Sequence, residues 1–199
     1  MDLIIKLDPF CFSGEIMTKR EARKLVKDRS KKLDFWYREK ASQSILRQVT
    51  ELECYETAET VFCYVSTEEE VNTWPLIARS LEQGKRVAVP RCIGKGRMEI
   101  RQISNLKQLQ KGAYGIMEPS KECPLIKKEE IDLGIIPCVS ADQRGNRLGH
   151  GEGFYDRFLE GVKFSKVLLC FQALMLDEIP IDEYDVTMDQ VICEGEENN

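Results

Sequence analysis

A chain of 199 residues is long enough for one well-packed domain and short for two. Hydrophobic residues at 42% and charged residues at 32% are ordinary for a globular domain in water, and no uninterrupted apolar stretch approaches bilayer length, which excludes an α-helical membrane protein. A net charge of -5 argues against a general nucleic-acid binder, whose domains are basic with interleaved aromatics.

The first residues are partly apolar, but Asp2, Lys6, Asp8 and Pro9 interrupt any secretory signal core. Residues 1–16 are therefore read as an N-terminal extension, or as the product of an upstream start, ahead of a domain over 17–193. Thr18 through Glu21 has the form of a capping box. Ala22, Leu25, Val26, Leu33 and Trp36 then recur near helical spacing, which predicts one long first helix. Residues 17–40 hold ten basic side chains against four acidic ones. Lys19, Arg23 and Lys27, spaced by four, share a face that either meets an anion or is simply solvated.

Residues 60–65 read as a buried strand, 74–81 as a helix and 86–90 as a second strand. Residues 97–103 alternate as a half-exposed strand, 106–110 form a short helix or turn, and 133–139 are another buried strand. A helix is predicted to begin at Phe154, a strand at Lys166 and a last short strand near Asp189. This alternation predicts a single α/β domain with a mostly parallel Rossmann-like sheet, helices on both faces, and ligands at the carboxyl ends of the strands. The polar tail 194–199 is predicted to be disordered.

The eight cysteines are scattered and none forms a Cys-x-x-Cys pair, so most are read as small apolar side chains in a reducing cytosol. His150 is the single histidine, and no ligand spacing suggests zinc.

The segment 144–156 carries the chemistry. Gly149, Gly151 and Gly153 suit positive φ or close approach of backbone N–H groups to phosphate oxygens, and Arg144 and Arg147 supply planar donors for anions. Tyr155 adds a stacking surface and Asp156 a carboxylate for a metal. The lysine and hydroxyl of a Walker loop are missing, and the glycine spacing is not that of a dinucleotide fingerprint.

The run Asn146-Arg147-Leu148-Gly149-His150-Gly151-Glu152-Gly153-Phe154-Tyr155-Asp156 resembles the distinctive segment Asn-Arg-Leu-Gly-x-Gly-x-Gly-Tyr-Tyr-Asp of the 5-formyltetrahydrofolate cyclo-ligases, also called 5,10-methenyltetrahydrofolate synthetases. Two more blocks agree in order: Lys19 and Arg23 match a Lys-x-x-x-Arg helix, and Ser66 with Glu70-Val71-Asn72-Thr73 matches a strand end followed by Glu-hydrophobic-x-Thr. The resemblance implies ATP- and Mg²⁺-dependent conversion of 5-formyltetrahydrofolate to 5,10-methenyltetrahydrofolate through a phosphorylated formyl group, with ADP and phosphate released. It implies that Lys19, Arg20 and Arg23 bind phosphate together with the loop Arg147, Leu148, Gly149, His150, Gly151, Glu152, Gly153, Phe154 and Tyr155. Arg147, His150 and Tyr155 become the catalytic candidates, and Asp156 with Asp189 the Mg²⁺ carboxylates. Val65, Glu70, His150, Gly151, Glu152, Gly153 and Phe154 become folate contacts, Glu70 reading the pterin. The partners implied are ATP and the folate, with or without a polyglutamate tail, for a monomer or small homo-oligomer. Phe154 in place of the first tyrosine keeps stacking and loses a hydroxyl, while Glu152 sets a negative charge near the phosphates. The alternatives kept open are a non-catalytic nucleotide- or folate-binding module and a different small-molecule enzyme, such as a sugar-phosphate isomerase, on a related scaffold.

Overall fold

A computed structural model describes residues 17–112 and 115–195. The expected extension, 1–16, and most of the expected tail, 196–199, lie outside the described residues. Glu194 belongs to the body of the domain: its carboxylate accepts from the Gln172 backbone N–H at 3.0 Å and from the Tyr37 hydroxyl.

The elements run α1 (Lys19–Ser30), α2 (Phe35–Thr50), α3 (Glu53–Thr57), β1 (Thr60–Cys63), α4 (Trp74–Glu82), β2 (Arg86–Gly94), β3 (Arg97–Ile103), β4 (Leu109–Lys111), β5 (Met117–Pro119), β6 (Leu133–Ile136), β7 (Ser140–Ala141), β8 (Arg147–Leu148), α5 (Phe154–Leu159), β9 (Ser165–Leu169) and β10 (Gln190–Ile192). The capping box of Thr18 and Glu21 starts α1 as the sequence predicts. The single long helix does not form. Asp34 accepts the Tyr37 N–H at 2.7 Å and caps a separate α2, so the chain turns between Lys31 and Asp34. Trp36, expected on the buried stripe, is 78% exposed, whereas Ala22 and Val26 are buried. α4 carries Pro75 in its first turn, where no intrahelical N–H bond is lost.

The six-stranded sheet has the order β10-β9-β6-β1-β2-β3. Its five parallel strands, counted along the chain, lie in the order 2-1-3-4-5, the doubly wound arrangement. β3 is antiparallel to β2 and forms the edge, so 97–103 joins as a hairpin arm. Every residue of β1 and β6 is buried, which requires cover on both faces of the sheet. Gly134 in β6 is set by contact: a Cβ there would come within 2.5 Å of the Phe164 ring. Smaller hairpins pair β4 with β5 and β7 with β8. The region 106–110 divides into a short 3-10 turn and the start of β4.

Strand order reverses between β1 and β6, and ligands of such sheets bind outside the carboxyl ends at that point. Two connections leave from there: residues 64–73 after β1, and residues 137–153 after β6, which carry the β7–β8 hairpin and the glycine loop. The second is organised by Asp142, whose side chain is fully buried. Its carboxylate accepts from the backbone N–H groups of Arg144 at 2.9 Å, Asn146 at 3.1 Å and Ile179 at 3.0 Å, and from the Asn146 amide at 2.9 Å. Burial pushes its pKa up, and the bonds from Ile179 and Asn146 more than offset this, leaving it below the ordinary carboxylate value.

A lowered folded-state pKa means that this stabilisation is present above the unfolded value of about 4 and is lost as the pH falls through the folded value. Asp142→Ala leaves buried donors unpaired and is expected to cost about 2–4 kcal/mol at pH 7 by urea denaturation. The gap between variant and wild type should narrow as the pH falls below 4; a gap independent of pH would contradict the assignment.

Candidate active site

The loop after β1 is closed on its own base. The Thr73 hydroxyl donates to the Tyr64 carbonyl at 2.7 Å, the Ser66 hydroxyl accepts from the Thr73 N–H at 3.0 Å, and the Tyr64 hydroxyl donates to the Val71 carbonyl at 3.0 Å. This rigid base presents Glu70. Its Oε2 accepts from the Thr67 N–H at 2.8 Å and the Thr67 hydroxyl at 2.9 Å, while Oε1 has no hydrogen-bond donor among the described residues. Glu68 and Glu69 are exposed, as expected of solvated neighbours, and Val65 is buried at the root of the loop. The cavity beside Glu70, bordered also by Tyr64, Cys138 and Phe171, offers about 10 Å³, room for a single water. The pterin reading of Glu70 therefore rests on its free oxygen and its place at the switch point.

Arg147 lies in β8 and is only 7% exposed. Its guanidinium pairs with Asp156 and sits over the Tyr155 ring, 5.6 Å from the centroid. Nε is buried with no hydrogen-bond partner. Burial raises the Tyr155 phenol well above its ordinary value near 10 and the neighbouring Glu70 charge raises it further, with Arg147 opposing. Tyr155 thus senses both the Glu70 side and the Arg147 side of the site, and its ring packs near Phe62 of β1.

The glycine loop follows. The Gly149 carbonyl accepts from Arg23 Nε at 2.7 Å, which ties α1 to the loop. Gly151 has φ +99° and Gly153 φ +66°, left-handed conformations that side chains rarely adopt, and Gly153 is the residue from which α5 departs. Phe154, partly buried, opens that helix. Arg157, one turn on, donates from Nε to the Gly96 carbonyl at 2.7 Å and from Nη2 to the Glu152 carbonyl at 2.5 Å, fastening the loop to the β2–β3 turn.

A cleft of about 690 Å³ opens on the other side of the loop, within the usual size range of small-molecule sites. Lys19, Arg23, Arg147, Leu148, Gly149, Gly151, Gly153 and Asp156 border it, so the structure brings most of the expected phosphate ligands to one cleft. Arg20, His150 and Glu152 are exposed and do not border the cleft; Glu152 takes part through its carbonyl. Asp189 is turned elsewhere: its carboxylate accepts from the Lys166 backbone N–H at 2.7 Å and pairs with the Lys166 ammonium at 2.8 Å. Asp156 is thus the expected metal carboxylate that borders the cleft, and no group of three or more possible ligands of the His, Cys, Asp and Glu type exists among the described residues.

Sequence reading missed the segment 182–186, which completes the lining of the cleft. Lys19 Nζ is held by Asp182 at 2.7 Å and Asp185 at 2.5 Å. Burial opposes charge on Lys19, and these two carboxylates overcome it, raising the ammonium above its ordinary value. Arg157 and Lys166 also border the cleft. The one signal in the sequence was the paired aspartates of Asp182-Glu183-Tyr184-Asp185 in a stretch without periodicity, which nothing local connects to Lys19.

The model of the 5-formyltetrahydrofolate cyclo-ligase family matches residues 15–194. The chain belongs to that family. A probable 5-formyltetrahydrofolate cyclo-ligase of Schizosaccharomyces pombe is 33% identical over 168 residues, 76% of this chain and 82% of that protein. The 5-formyltetrahydrofolate cyclo-ligase of Saccharomyces cerevisiae is 29% identical over 203 residues, covering 88% of this chain and 95% of its own. The solution structure of the Aquifex aeolicus 5,10-methenyltetrahydrofolate synthetase superposes with a TM-score of 0.79 at 30% identity, covering 88% of this chain and 89% of that one. The chain is accordingly read as an enzyme, a cyclo-ligase of this family, which decides against the non-catalytic module and the sugar-phosphate isomerase.

A Cβ at Gly149 would come within 2.7 Å of Arg147 Nη1, and the backbone there has no positive φ to protect. Gly149→Ala is expected to push the guanidinium aside, weakening binding of inorganic tripolyphosphate about tenfold by calorimetry while changing the stability by less than about 1 kcal/mol. Unchanged affinity would show that the position of Arg147 does not matter for anions.

Proposed function

We propose that this enzyme converts 5-formyltetrahydrofolate to 5,10-methenyltetrahydrofolate with consumption of ATP, assisted by Mg²⁺. The observation that carries the reading is Arg147: a buried guanidinium with an unpaired Nε, beside a carboxylate, bordering a cleft whose lining alternates cations such as Lys19 and Arg23 with carboxylates such as Asp182 and Asp185. Such a group favours an anion, and the adjacent loop offers backbone N–H groups free of Cβ crowding.

The chemistry asks the protein for positioning and charge neutralisation. An N-formyl oxygen leaves poorly near neutral pH. In the proposed reaction that oxygen forms a bond to the γ-phosphorus of ATP while the bond to the ADP oxygen breaks. N10 of the folate then adds to the activated formyl carbon and loses its proton. The ring is then closed; the C–O bond breaks last, inorganic phosphate leaves with that electron pair, and a nitrogen lone pair completes the methenyl double bond.

Arg23 and Arg147 would hold phosphate oxygens, and Lys19 would join by exchanging Asp182 and Asp185 for the nucleotide. Asp156, bordering the cleft, fits an ion that arrives on the nucleotide, since Mg²⁺ uses one or two carboxylates together with phosphate oxygens and water. Bound there, Mg²⁺ would neutralise charge on the phosphates. Asp189 would join only after release from Lys166. Glu70 would accept from the pterin amino and ring N–H groups through its free oxygen. Tyr155, its phenol kept protonated by burial and by Glu70, would bound the space between folate and phosphate together with Phe154. His150, on the exposed crest of the loop, would meet substrate only after the loop closes on it. The seven described cysteines are all free, in keeping with action in the cytosol.

The purified chain, given 5-formyltetrahydrofolate, Mg²⁺ and ATP, is expected to develop the near-ultraviolet band of methenyltetrahydrofolate, and not without ATP. Growth of the band without ATP would refute the phosphorylation step. Asp156→Ala is expected to raise the KM for Mg·ATP about tenfold or more, and Glu70→Ala to raise the KM for the folate by a similar factor. Each should leave the other KM within about threefold, and the opposite pattern would reverse the two assignments.

A further inference from the structure

We propose that Tyr184 is the platform on which the nucleobase of ATP stacks, held in place by the hydrogen bonds within the turn from Asp182 to Asp185. The inference rests on the reading of the glycine loop as the phosphate site. With the phosphates at that loop, the base needs a flat apolar surface elsewhere in the same cleft. Among the described residues, Tyr184 is the one aromatic side chain that borders it. Its ring is 75% exposed, and its hydroxyl holds no hydrogen bond among the described residues, so packing does not account for its position. Val162 and Val186 add aliphatic surface to the same cleft.

The position is nonetheless fixed. The Asp185 N–H donates to the Asp182 carbonyl at 3.2 Å, the Tyr184 N–H to Asp182 Oδ1 at 3.0 Å, and the Asp182 N–H to Asp185 Oδ2 at 2.7 Å. The same two carboxylates grip Lys19, which binds this turn to α1. An exposed ring on a backbone stiffened in this way loses little freedom when a base stacks on it. The folate rings are assigned to the other side of the site, because Glu70 borders the small cavity with Tyr64 and does not border the cleft.

The test is calorimetric titration of the full chain with Mg·ATP and, separately, with inorganic tripolyphosphate. Tyr184→Ala is expected to weaken ATP by about 5- to 100-fold, the range of one base stacked on an aromatic ring, and to leave tripolyphosphate within about twofold. Tyr184→Phe should retain the affinity of the wild type for ATP. Unchanged ATP binding in Tyr184→Ala, or equal loss of both ligands, would overturn the platform. Wild-type protein that bound neither ligand would instead remove the phosphate reading, and stacking with it.

Discussion

The site depends on one buried cation. Removing a guanidinium from water is costly unless charge and hydrogen bonds replace the lost solvation. Arg147 meets that demand in part, with Asp156 at one edge and the Tyr155 face beneath it. The residues that satisfy it follow it by eight and nine positions, so the intervening loop must fold back within a short span. Glycines at 149, 151 and 153 permit this: the first leaves room for the guanidinium, and the other two take left-handed turns. Nε is buried without a partner, while the residue itself borders the cleft, where an anionic ligand would complement its charge.

Around this centre the fold acts as a set of fasteners. Arg23 ties α1 to the Gly149 carbonyl, Arg157 ties the loop to the β2–β3 turn, and Asp142 gathers the hairpin that precedes the loop. Each is a charged group spent on backbone atoms, which makes sense where a loop must hold its shape without apolar packing. The doubly wound sheet supplies the reference frame. Because the strand order reverses between β1 and β6, their carboxyl ends open a crevice from which the Glu70 loop and the glycine loop diverge. The phosphorylation proposed above would use such a geometry, with one ligand on each side and the reacting atoms at the seam.

Lys19 shows how a cation bordering the cleft is balanced within the protein. Its ammonium is balanced by two aspartates rather than left bare, so in the proposed function nucleotide binding would exchange one set of anions for another. Lys166 and Asp189 repeat the arrangement at the start of β9. Both pairs are partly open to solvent, where an ion pair is worth little and is readily exchanged.

Much of this was legible in the sequence, for physical reasons that differ by element. The strands β1, β6 and β9 announce themselves as short runs dominated by apolar residues, and the capping box of α1 is a local pattern of hydrogen bonds that needs no distant partner. The glycine loop with Arg147, Tyr155 and Asp156 was legible because its members lie within ten residues and constrain one another. The break at Asp34 was not, since helical periodicity continues through it and only the choice of Asp34 as a cap divides α1 from α2. Nor could sequence place Asp182 and Asp185 against Lys19, more than 160 residues away, or close Asp189 on Lys166. Local patterns fix what a segment is, because backbone sterics and short-range hydrogen bonds act within a few residues. Which charges meet across the molecule was decided only when the strands paired in their final order, because Coulomb and hydrogen-bond partners are chosen by distance in space and not along the chain.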